Sequence, residues 1–71
     1  MLLNSDLTEG ERRALSLAAR GLSVTEVAEA MNSSPMVVRV GLASAIDKLG
    51  AHSKLEAIII AARRGEIDLS A

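Results

Sequence analysis

Three S/T-x-x-E quartets constrain this chain more than any other feature: Thr8-Glu9-Gly10-Glu11, Ser23-Val24-Thr25-Glu26 and Ser53-Lys54-Leu55-Glu56. In such a capping box the hydroxyl accepts from the backbone N–H three residues on. The carboxylate reaches back to the cap's own N–H, so two orphan donors of a new helix are satisfied together. Each quartet opens a segment whose apolar residues recur at helical spacing. Gly21 and Gly65 follow the first and last of these segments as C-terminal stops, and Gly50 stops a further helical segment between the second and third quartets. β-branched residues are few and scattered, and no alternating apolar/polar run is bounded by turn signals. The chain therefore reads as all-α.

The punctuation divides it into four helices, over about 9–20, 24–31, 35–49 and 54–64. Leu15, Ala18, Ala19 and Leu22 form the inward stripe of the first, and Val27, Ala28 and Met31 that of the second. Ser34 caps the third helix and Pro35 takes its first position, where the missing N–H costs nothing. Val38, Leu42, Ala45 and Leu49 mark its buried face. Ile58-Ile59-Ile60 in the fourth helix spans about 200° of helical surface. All three cannot face one small core: Ile58 or Ile59 packs inward with Leu55 and Ala62, while Ile60 shares a rim with Glu56 and Arg64. Residues before Leu7 and after Asp68 read as loose ends, which leaves an ordered core of about 7–67.

Composition removes whole classes of function. The chain has 71 residues and is 49% hydrophobic, with twelve Ala and ten Leu, so it is read as a single domain with a thin core. It has no Cys and one His, so a disulfide scaffold, a thiolate zinc site and a Cys nucleophile are excluded. His52 stands in a turn with no visible partner, and no metal and no cofactor are expected. Without Phe, Tyr or Trp, stacking of bases on aromatic rings is excluded. No nucleophile has a neighbouring base and no Gly-rich phosphate loop appears, so the chain is not read as an enzyme. Its longest apolar run, Ala57–Ala62, falls far short of the roughly 18 residues of a membrane span. Asn4, Ser5 and Asp6 interrupt any signal sequence, and a cytoplasmic location is expected.

A short second helix, a three-residue turn and a longer third helix opened by Ser34-Pro35 is helix-turn-helix organisation. Ala28 supplies the small side chain needed where such helices meet. The pattern resembles the LuxR/FixJ/GerE-type DNA-binding domain found at the C-terminus of many bacterial regulators. The residues that carry the resemblance run from about Leu7 to Ile67. They are Leu7-Thr8 with Glu11, then Leu15-x-Leu17-x-Ala19-x-Gly21-Leu22-Ser23 and Glu26-Val27-Ala28. Ser34-Pro35, Val38-Arg39, Leu42, Lys48-Leu49-Gly50 and Ser53-Lys54-x-Glu56-Ala57 continue it. The promoter-reading domain of sigma factors shares the first half only. The second half, through a fourth helix, favours the LuxR type.

That resemblance implies a compact four-helix domain that binds double-stranded DNA with helix 3 in the major groove and pairs with a second copy through helix 4. Arg39 is then the leading DNA contact. Val40, Met36 and Ala43 share its face, Ser34 and Thr25 are positioned for phosphates, and Lys48 and Lys54 flank the following turn. Glu56, Ile59, Ile60, Arg63 and Arg64 form the expected dimer interface. The departures are concentrated on helix 3. The family usually carries Thr, Val, Lys and then His where this chain has Val37, Val38, Arg39 and Gly41. With a net charge of −1, these losses support an alternative of another class: a helix-turn-helix that serves as a protein–protein interaction module, with another regulatory protein as partner.

Overall fold

In a computed structural model of the protein, residues 7–69 are described and form four α-helices: α1 (Glu9–Ala19), α2 (Val24–Ala30), α3 (Pro35–Lys48) and α4 (Lys54–Arg63). All four begin where the sequence places them. Each ends one residue earlier, because Arg20, Met31, Leu49 and Arg64 are C-caps rather than helical residues. The loose ends expected before Leu7 fall outside the described residues.

The caps explain why the boundaries were legible. Thr8 and Ser23 form complete boxes, with Glu11 and Glu26 accepting from the cap N–H at 2.9 and 2.8 Å. The third quartet departs from the pattern. Ser53 Oγ accepts from the Glu56 N–H at 3.1 Å, but the Glu56 carboxylate accepts instead from the His52 N–H at 2.6 Å. Ser53 is more extended (φ −159°) than Thr8 or Ser23 (φ −74° and −73°), and its own N–H is not the one bonded. At the opposite ends, Gly21, Gly50 and Gly65 close α1, α3 and α4 at positive φ. Asn32 does the same for α2 at φ 55°. Its N–H bonds the Glu29 carbonyl and the Ser33 N–H the Ala28 carbonyl, a Schellman closure that sets the turn into α3.

α3 is the central element, packed against α1, α2 and α4. Its core face is the expected one: Val38, Leu42, Ala45 and Leu49 are all buried. α1 buries Glu11, Ala14, Leu15 and Ala18, and α2 buries Val27 and Ala28. Ala19, Leu22 and Met31, expected inward, are half-buried against this core. Six of the fourteen buried hydrophobics are Ala. Small side chains let the helix axes approach closely, which offsets the little area each one removes from water. Leu7 and Ile67, from outside the helices, complete the core.

On α4 the inward residues are Ala57, Ile58 and Ala61. Leu55, expected to pack inward, is 68% exposed, and Ile59 is 42% exposed one turn later. α4 packs against both α1 and α3, with Ala57 and Ala61 fully buried on its inward side. Ile60 is half-buried at the edge of the core, with Glu56 half-buried and Arg64 exposed one turn to either side.

Gly41 stands in the middle of α3, and a Cβ built there meets nothing within 4 Å. Glycine loses more backbone freedom on folding than alanine does. Gly41→Ala is therefore expected to stabilise the fold by about 1 kcal/mol, measured as a higher urea midpoint at unchanged m-value. A lower midpoint would show that the space is needed.

Candidate nucleic-acid interface

The core face of α3 dictates what the helix offers to solvent. At 100° per residue, Met36, Val40, Ala43 and Asp47 lie opposite the buried row. Arg39 flanks that stripe on one side and Val37 on the other. Met36, Val37 and Val40 are 67%, 59% and 62% exposed, and Arg39 and Ala43 are exposed as well. Among the described residues no hydrogen bond or ion pair engages Arg39. Its guanidinium stands at one edge of a stripe that is apolar from Met36 to Ala43 and ends at Asp47.

Ser34 and Thr25 are both exposed near helix N-termini. Ser34 Oγ accepts from the Val37 N–H at 3.2 Å, so its hydroxyl hydrogen remains available to an incoming acceptor. Thr25 is the second residue of α2. Arg39, Val40, Met36 and Ala43 are thus brought together on one helix face, with Ser34 at that helix's start.

Lys48 and Lys54 do not join this group. Lys48 Nζ donates to Glu11 Oε1 at 2.9 Å, which ties the end of α3 to the start of α1. This pair engages its ammonium within the fold. Lys54 lines a different surface, between α1 and α4.

Glu11 is the residue that sequence reasoning missed as an anchor. It is buried, at 8% exposure, where the first position of the α1 core stripe falls. Burial pushes its carboxyl up. Hydrogen bonds from the Ser44 hydroxyl, the Thr8 N–H and Lys48, with the Lys48 charge, outweigh this and hold it at about 2. A second long-range pair was also unforeseen. Arg12 donates to Glu66 at 2.7 Å and so fastens the turn after α4 to α1. The available signal was spacing: Glu11 lies four residues before Leu15, in phase with the apolar row.

His52 has a partner after all, since its Nδ1 lies 3.0 Å from Glu56 Oε1. The backbone N–H of His52, then its ring, hold the Glu56 carboxyl below the usual carboxylate range. Of the expected dimer residues, Ile59, Arg63 and Arg64 are exposed, Glu56 is turned toward His52, and Ile60 is half-buried. Leu55 and Ile59 line an open apolar groove of about 480 Å³ with Ala18, Ala19, Ile58 and Leu69. Among the described residues no helix is long and apolar enough to cross a membrane.

No curated protein matches the chain. Solved structures do. The transcription factor GerE is 31% identical, with a TM-score of 0.88 over 94% of this chain and 100% of that one. Two VqmA structures match at lower coverage of their own length. One is a phage VqmA–DPO complex, 31% identical, with TM-score 0.75 over 99% of this chain and 30% of that one. The other is a Vibrio cholera VqmA–ligand–DNA complex, 30% identical, with TM-score 0.78 over 93% of this chain and 29% of that one. The chain therefore spans under a third of either VqmA. The family model for GerE, described as bacterial regulatory proteins of the luxR family, matches residues 5–61. These are regulators and not enzymes, and the four-helix frame with α2 and α3 as its helix-turn-helix agrees with both comparisons: the chain belongs to the LuxR family of bacterial regulatory proteins.

Proposed function

We propose that this chain binds double-stranded DNA as the output domain of a transcriptional regulator in the bacterial cytoplasm. α3 lies in the major groove, and α1 and α2 brace it across the backbone. The observation that carries this reading is Arg39: exposed, its side chain unpaired among the described residues, and at the edge of the outer face of the second helix of a helix-turn-helix. Met36, Val40 and Ala43 flank it, while Ser34 and Thr25 offer hydroxyls to phosphates. Asp47 ends the same stripe and repels phosphate, so the N-terminal half of α3 makes the approach.

Two copies pair through α4, with Ile59, Ile60, Glu56, Arg63 and Arg64 around the contact and Leu55 added to it. Leu55 and Ile59 sit one turn apart on an exposed face, which is the arrangement a two-fold helix contact needs. Ile59→Glu places a charge in that contact and is expected to sediment as a monomer at concentrations where the parent chain is dimeric. A dimeric variant moves the interface elsewhere.

With Lys48 committed to Glu11, few cations face the DNA. Each neutralised phosphate adds about −0.9 to the slope of log affinity against log salt, so a shallow slope is expected. The test is a salt titration on random-sequence duplexes. Micromolar binding at roughly 50 mM salt, weakening smoothly as salt rises, supports DNA binding. Its absence at high micromolar protein favours the rival reading, in which the apolar α3 face docks another regulatory protein.

A further inference from the structure

Resting on the DNA-binding reading above, we propose that α3 recognises thymine methyl groups grouped around a single guanine. The inventory of its outer face leads there. Val37, Val40 and Ala43 have no side-chain donor or acceptor, Met36 has only a weakly accepting thioether sulfur, and Arg39 is the strong hydrogen-bonding group among them. Every base pair in the major groove exposes nitrogen and oxygen atoms that water satisfies. An apolar side chain laid over guanine or cytosine edges strips that water and returns nothing. Thymine alone offers an apolar group there, its C5 methyl, against which a Val or Met side chain buries surface without loss. The guanidinium of Arg39 meets the opposite need, since its planar fork matches guanine O6 and N7.

The spacing fits one short segment of groove. Met36, Arg39, Val40 and Ala43 follow one another at i, i+3, i+4 and i+7, so along the helix axis the cation has a methyl-bearing neighbour about one turn before it and another about one turn after. Val37 extends the apolar surface toward α1, where with Val40, Gly41, Met31 and Ala14 it lines an apolar cleft of about 270 Å³. Sites for this chain are therefore expected to carry thymines on both sides of one fixed guanine in each half-site.

The experiment keeps the protein unchanged and alters the DNA. Duplexes are selected from a random-sequence pool by the dimeric chain. The best site is then remade with deoxyuridine for thymidine, or with 7-deazaguanine at the fixed guanine. Thymine enrichment and a loss of about fourfold per contacted methyl are expected, the worth of burying one methyl. The 7-deaza substitution weakens binding of the parent chain and leaves Arg39→Ala unaffected. Selected sites without thymine enrichment, or equal affinity for the uracil duplex, overturn the proposal while DNA binding stands. If no duplex is retained at low salt, DNA binding itself fails and the proposal falls with it.

Discussion

Glu11→Gln is expected to lower the stability of this protein by about 3 kcal/mol near neutral pH. The substitution keeps the shape of the side chain and removes its charge, leaving Lys48 without its ion pair and weakening the bonds from Thr8 and Ser44. The magnitude follows from linkage. The Glu11 carboxyl lies at about 2 in the folded protein against 4.5 ordinarily, and each unit is worth about 1.4 kcal/mol. A carboxyl depressed by folding stabilises the native state fully above its unfolded value. That contribution is lost as pH falls from about 4.5 toward 2 and is absent below both values. A domain of this size has roughly 4–10 kcal/mol in total, so the loss takes a large share and lowers Tm by more than about 10 °C at pH 7. Melting curves across pH 2–7 check it. The parent chain loses Tm steeply on the acid side and the variant does not, so the two curves converge near pH 2. Parallel curves separated by a constant offset would remove Glu11 from this role.

The second large effect is on binding. Arg39→Ala is expected to weaken DNA binding by about 1–3 kcal/mol per protomer, five- to more than a hundredfold in Kd. Folding stability should change by less than about 0.5 kcal/mol, because the side chain is exposed and no described residue pairs with it. The form of the loss identifies the contact. If Arg39 reads guanine, discrimination between sites relaxes and Arg39→Lys fails to restore it, since an ammonium lacks the two-pronged fork. If it holds a phosphate, affinity falls equally for all sequences, the salt slope becomes shallower by about one unit, and Lys restores much of it. Isothermal titration or fluorescence anisotropy on a selected site and a scrambled one separates these results. Unchanged affinity on both would exclude Arg39 from the interface.

Much of the fold was legible because its signals are local. A capping box spans four residues, a glycine stop one, and an apolar stripe a few turns. These fix where helices begin and end whatever lies around them. The helix 3 core face was recovered in full for the same reason, since its 3.6-residue period is uninterrupted from Val38 to Leu49. The third box shows the limit of locality. Ser53 and Glu56 hold the right spacing, yet a different backbone angle at Ser53 sends the carboxylate to His52.

The candidate site was legible in part. Arg39 and its apolar neighbours follow from the helix 3 period alone. The loss of Lys48 from that group does not, because its partner Glu11 is 37 residues away in the chain. The same applies to Arg12, whose partner Glu66 lies 54 residues on. Leu55 is a subtler case: three consecutive isoleucines allow α4 several rotations. Packing against α1 and α3 buries Ala57, Ile58 and Ala61 and so selects the one that turns Leu55 and Ile59 outward.

By itself, then, the sequence determined four helices, their caps, and the face of α3 that must be buried, since each depends on residues within a few turns of one another. Tertiary structure alone decided which charges are spent inside the fold, and which side of α4 is left uncovered. An ion pair or a helix's rotation depends on what another part of the chain brings against it, and no spacing within one segment encodes that.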